Sequence, residues 1–187
     1  MAALAGKDPY EFRLQHLTNK PRQRHVLQLA AERAGWGKAP AGRYQGIALM
    51  EGYTTHLAQV AEISIDGGDV KVHRITCVVD CGQMVNPKIV ESQMESGIVF
   101  GLSAALWGEV TIAGGQVRQT NFNNYRVLRN NELPELDVHL VESDETPGGI
   151  GEAAVPLVAP AVCNAIFAAT GKRLRELPIA GQKLSKV

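Results

Sequence analysis

Three stretches of this 187-residue sequence combine residue types and spacings suited to chemistry. In Gly148-Gly149-Ile150-Gly151-Glu152 a carboxylate follows three glycines and precedes an apolar run. A loop so free of side chains lets backbone approach a neighbour closely, and its carboxylate is poorly placed for solvent but well placed for a pocket. Burial there would equip Glu152 to take up a proton at neutral pH; the competing reading is that Glu152 interacts with the positive end of the helix that follows. In the second stretch Gln93, Gly97 and Gly101 recur at i, i+4 and i+8, so one helix face carries an amide and then two bare positions. Each such glycine costs about 0.5–1 kcal/mol relative to alanine in a helix interior, and something must offset that. Either another helix packs closely there, or a flat ligand lies on the bare face with Gln93 offering amide donors and acceptors. The third stretch is Asp80-Cys81-Gly82, where a buried cysteine would act mostly as a small hydrophobe and Asp80 would cap a turn.

The elements that must position these residues are legible from caps and periodicity. Asp8-Pro9-Tyr10-Glu11 is a helix start, with Leu14 and Leu17 at helical spacing; Pro21 opens a second helix that Gly35 ends. Gly35 to Gly42 reads as a linker, dividing an N-terminal helical segment (1–37) from the remainder (38–187). Beyond it, Gly46 to Met50 reads as a strand. Ala61, Ile63 and Ile65 alternate with polar residues up to the turn Asp66-Gly67-Gly68-Asp69, from which Val70 to Val79 returns with its apolar phase shifted near His73 and Arg74, as a bulge would cause. Asn86-Pro87 starts a long helix reaching about Leu106. A second hairpin turns at Ala113-Gly114-Gly115-Gln116, Leu136, Val138 and Leu140 alternate as a strand, and a small-residue helix from Pro156 to Ala169 stops at Gly171. The fold class expected is α+β (mixed α/β), with hairpins and a mixed sheet packed against long helices.

Composition narrows the function. Nineteen basic residues balance nineteen acidic ones, so the chain lacks the electrostatic footprint of a nucleic-acid or anionic-membrane binder, and 45% hydrophobic residues argue against disorder. The longest apolar stretch, Ala153 to Ala169, contains Pro156, Pro160 and Asn164 and does not read as a membrane span; no leader is recognisable at the start, making a cytoplasmic location the default and a periplasmic one possible if a longer subunit carries a leader. Three cysteines without a CxxC and five scattered histidines provide neither an iron–sulfur ligand set nor a metal site built from side chains. The GxG spacing lacks the third glycine of a dinucleotide fingerprint.

Taken in order, Val79-Asp80-Cys81-Gly82, Val85-Asn86-Pro87, Gln93 to Leu102 and Gly149-Ile150-Gly151-Glu152 resemble the C-terminal part of the molybdenum-binding subunit of the xanthine oxidase family of hydroxylases, nearest to isoquinoline 1-oxidoreductase beta subunits and their aldehyde-oxidising relatives. Asp8 to Leu17 and Ala31 to Trp36 are similar to the same group, and the likeness runs from about Lys7 to Ile179. The resemblance implies oxidation of an N-heterocycle or aldehyde with water as oxygen source, and Glu152 as general base. It also implies that Gln93 hydrogen-bonds a molybdopterin, expected in its cytosine dinucleotide form, and that Gly97, Gly101, Gly149 and Gly151 allow close approach to it. Molybdenum is then held by the pterin dithiolene, with no protein metal ligand and no iron–sulfur cluster on this chain. The implied partners are the remaining part of the molybdenum subunit and a small 2Fe-2S subunit. Because the family subunit is several times longer, the chain alone is expected to be cofactor-free and inactive, and a surface left apolar would favour a homo-oligomer. The alternative is a non-catalytic structural or interaction domain derived from that family.

Overall fold

The computed structural model describes residues 1–184. Helix α1 (Pro9–Gln15) begins where the Asp8 carboxylate accepts hydrogen bonds from the Tyr10 and Glu11 amides, and α2 (Pro21–Arg33) buries Val26, Leu27, Ala30 and Ala31 along one side. Three antiparallel strands follow: β1 (Tyr44–Gly52), β2 (Thr55–Asp66) and β3 (Asp69–Asp80). The turn between β2 and β3 holds Gly67 and Gly68 at positive φ, as its sequence demands. The expected bulge is present. Glu62 pairs with Arg74 but Ile63 with Val72, leaving His73 as the extra residue.

One feature of the hairpins departs from the sequence reading. What the pattern presents as two separate strands, Gly46–Met50 and Ala61–Ile65, is a single tight hairpin in which β1 and β2 pair throughout and turn at Tyr53-Thr54. Both turn residues have positive φ, 57° and 62°, which the short hairpin imposes and which neither side chain favours.

Asn86 then caps α3 (Pro87–Trp107), its side chain accepting from the Ile89 amide. The small hairpin β4 (Ile112–Ala113) and β5 (Gln116–Val117) and the strand β6 (Glu135–Leu140) follow, and α4 (Val155–Thr170) ends at Gly171 in the left-handed conformation. The main sheet has the order β1-β2-β3-β6, with β6 parallel to β3.

Both faces of the sheet are covered. On one, Leu57, Ala61, Ile63, Ile75, Cys77 and Val79 meet Met94, Ile98 and Leu102 of α3 and Val158, Ala161 and Val162 of α4. On the other, Ala58, Val60 and Val78 meet Val26, Leu27 and Ala30, so α2 packs directly on the sheet. The period of two along β2 and β3 thus divides the apolar side chains between two cores. Gly46 brings β1 against α4, since a Cβ there would overlap the Ala161 carbonyl oxygen and the Ala165 amide nitrogen. Ile89 and Phe100 of α3, together with Val85, stand exposed. Among the described residues no helix is long and apolar enough to cross a membrane.

Candidate active site

The loop between β6 and α4 crosses the end of the sheet where β3 finishes and the β1–β2 turn projects, and backbone hydrogen bonds fasten it there. Gly148 N–H donates to Cys81 O at 2.8 Å, Gly149 N–H to Tyr53 O at 2.8 Å, and Gln83 N–H to Glu145 O at 2.9 Å. The Thr55 hydroxyl donates to Gly149 O at 2.9 Å. A Cβ on Gly148 would collide with the Thr55 hydroxyl oxygen, and one on Gly149 would lie 2.9 Å from Tyr53 Cβ. These two glycines allow the loop to lie flat on the turn. A Cβ on Gly151, by contrast, would project into open space.

The three stretches singled out from the sequence meet at this loop. Gln93 of α3 donates its side-chain amide to Gly151 O at 2.7 Å, and Cys81 supplies the carbonyl that anchors Gly148. Glu152 differs from expectation in being exposed, because the chain turns inward only at the buried pair Ala153-Ala154. It does not cap α4 with its side chain either. Its carboxylate instead accepts a hydrogen bond at Oε2 from the Tyr53 hydroxyl, 3.1 Å away. That bond, and then the negative charge of Glu152, push the Tyr53 phenol above its ordinary value of 10.0.

Gly97 and Gly101 are buried against α4. A Cβ at Gly97 would lie 2.9 Å from Ala154 Cβ, and one at Gly101 would lie 2.7 Å from Val158 Cγ2 and 2.9 Å from Val155 O. Of the two readings open for that bare face, helix packing is the one found, and direct contact of a flat ligand with these glycines is displaced by α4. Ala154 is further fixed by the buried amide of Gln59, which donates to its carbonyl at 2.9 Å.

Asp80 proves structural. It is buried, accepts Nε and Nη2 of Arg22 at 2.7 and 2.6 Å, and accepts the Gly82 amide at 3.1 Å, which is the turn cap expected of it. Burial works against its charge, but the Arg22 and Gly82 bonds outweigh it and hold the carboxyl below 3.8. Burial also raises Cys81, and takes Cys77 to about 12, so both thiols stay protonated at neutral pH. Among the described residues no group of three or more His, Cys, Asp or Glu side chains is placed to hold a metal ion.

Tyr53, Thr55 and Gln59 belong to the site and were not singled out by motif. Gln59, an amide within the otherwise apolar centre of β2, was the one signal available, since a buried amide needs a partner.

Comparison with known proteins decides the family. Residues 4–134 match the molybdopterin cofactor-binding domain. The chain belongs to this family. It is 38% identical to the isoquinoline 1-oxidoreductase subunit beta of Brevundimonas diminuta over 96% of its own length and 24% of that protein's. It is 33% identical to the membrane-bound aldehyde dehydrogenase [pyrroloquinoline-quinone] of Gluconacetobacter polyoxogenes over 92% of this chain and 25% of the relative. Among solved structures, quinoline 2-oxidoreductase from Pseudomonas putida 86 superposes with a TM-score of 0.57 at 28% identity, covering 62% of this chain and 16% of that one. The chain therefore spans about a quarter of the length of these curated relatives, and its mixed α/β fold is that of molybdenum hydroxylase domains.

Proposed function

We propose that this molybdopterin-binding-family chain forms one wall of the active site of a molybdenum hydroxylase, with Glu152 as general base. The observation that carries the reading is the exposed Glu152 carboxylate, held by Tyr53 on a loop that is itself tied to Gln93 and Cys81. A carboxylate fixed at a defined place yet open on one side is what proton abstraction from an incoming reactant requires.

The donor set suits an organic cofactor better than a bare ion. Gln93 keeps its amide oxygen as an acceptor, and beside it Gly151 faces open space, while the Gly149 N–H and C=O are already engaged by Tyr53 and Thr55. Bound at this edge, molybdopterin, in the proposed cytosine dinucleotide form, supplies the two-electron redox couple that side chains lack. Gln93, Gly149 and Gly151 line its near side, and Gly97 and Gly101 act one step back by letting α3 and α4 approach. Water provides the oxygen, and the substrate is an N-heterocycle or an aldehyde, in keeping with the names of the relatives. The remaining part of the subunit supplies the other wall and most of the substrate pocket, and a small 2Fe-2S subunit takes the electrons. The chain alone is expected to lack turnover.

The test is Glu152→Gln in the full-length subunit. Turnover should be lost while molybdenum content stays at the wild-type level; normal turnover would overturn the assignment and favour a structural role for the domain.

A further inference from the structure

Tyr53 lies outside every motif, yet it makes three contacts with the loop that carries Glu152. Its hydroxyl donates to Glu152 Oε2 at 3.1 Å, its carbonyl accepts the Gly149 amide at 2.8 Å, and its Cβ occupies the space into which a side chain at Gly149 would project. The backbone at Tyr53 and Thr54 is left-handed, with φ of 57° and 62°, and the Thr54 hydroxyl reinforces the turn by donating to Tyr53 O at 2.6 Å. Two consecutive non-glycine residues persist in that region only where their surroundings over-determine it, and such strain gathers where a side chain must be aimed.

We propose that Tyr53 is a positioning residue for Glu152: its hydroxyl occupies Oε2 and leaves Oε1 as the oxygen that receives the proton. The inference rests on the reading of Glu152 as general base. Tyr53 works as a donor because a phenol keeps its proton throughout the neutral range, and the bond to Glu152 and that residue's charge raise it further. The ring is well exposed, so the hydroxyl is held by this contact and the turn rather than by burial of the side chain.

Two measurements test it. In the chain as it stands, the Tyr53 phenol is followed by 13Cζ NMR titration, its signal identified by its loss in Tyr53→Phe and the fold monitored by the amide spectrum. Glu152→Gln should bring the Tyr53 titration down toward the ordinary tyrosine value; an unchanged titration would overturn the contact. In the full-length molybdenum-loaded subunit, Tyr53→Phe should lower kcat up to about ten-fold, the scale of one hydrogen bond, with KM and molybdenum content unchanged. An unchanged kcat in Tyr53→Phe beside an inactive Glu152→Gln variant would sink the positioning role while sparing the general base. Normal turnover in Glu152→Gln would remove the general base itself, and the positioning role with it.

Discussion

The Gln93 amide holds the carbonyl of Gly151 at 2.7 Å, so a residue in the second turn of α3 fixes the peptide immediately before Glu152. The bond joins two elements far apart in sequence and is exposed, which sets its worth near the low end for a neutral hydrogen bond. Gln93→Ala should lower the unfolding free energy by about 0.5–1 kcal/mol, read from urea denaturation. The Gly151 and Glu152 amide resonances should shift while those of α2 stay in place. Unmoved loop resonances would mean that Gln93 does not hold the loop.

Gly97 and Gly101 invite a sharper test because the structure ranks them. Alanine at either position gains about 1 kcal/mol of helix propensity, and overpacking of a tight interface costs about 1–3 kcal/mol. At Gly101 the new methyl meets the Val155 carbonyl as well as the Val158 side chain, and backbone yields least. Gly101→Ala should therefore be the more destabilising of the two. At Gly97 the obstacle is the Ala154 methyl, so Ala154→Gly should partly rescue Gly97→Ala in a double-mutant cycle of thermal unfolding. Additive effects would place the clash elsewhere.

Where sequence and structure agree, a local signal was strong. Asn86-Pro87 fixed the start of α3, Gly171 the end of α4, and the phase shift at His73 the bulge, each a matter of a cap, a left-handed residue or side-chain alternation. The turn at Tyr53-Thr54 stayed hidden because its residues are those a short hairpin disfavours, and the contacts of Tyr53 with Gly149 and Glu152 lie far away in sequence. Glu152 was legible as a residue but not in its setting. The exposure of its side chain depends on where the loop crosses the sheet end, which is fixed by Cys81 and Tyr53, residues distant in sequence. The parallel pairing of β6 with β3 was equally unreadable, as nothing in Leu136, Val138 and Leu140 specifies a neighbour.

The strain in that turn has a measurable sign. Thr54 is β-branched and left-handed, a conformation that costs an L-residue about 1–2 kcal/mol. Thr54→Gly should raise stability by up to about 1 kcal/mol, after allowing for glycine's greater unfolded-state entropy and the lost hydroxyl bond, and raise Tm accordingly. A fall in Tm would show that the hydroxyl bond outweighs the backbone strain.

Arg22 and Asp80 form a largely buried pair, and breaking it should be costly. Arg22→Ala leaves the Asp80 charge desolvated without its partner and should destabilise by about 3 kcal/mol at neutral pH. Asp80 has its folded value depressed below 3.8, so its stabilising contribution is present above the unfolded carboxylate range and disappears as pH falls through the folded value. Denaturation of both proteins as a function of pH should thus show the gap narrowing below about pH 4. A gap independent of pH would mean that Arg22 acts through packing alone.

His56 supplies a stability change nearer neutrality. It is buried beside Arg22, its Nδ1 has no hydrogen-bond partner, and burial first, then the Arg22 charge, hold it below 6.5 in spite of Glu51 and Asp80 nearby; Lys20 adds to the depression. As pH falls, the unfolded chain binds this proton near 6.5 while the folded one still resists, so stability falls from about pH 7 until the folded value is passed, with a slope of at most about 1.4 kcal/mol per pH unit for one proton. His73, lowered chiefly by burial and next by Arg43, adds a loss of the same sign. His56→Gln should flatten the fall between about pH 7 and 5 without abolishing it, because His73 remains. Urea midpoints across that range measure the difference, and an undiminished slope in the variant would assign the whole effect to other groups.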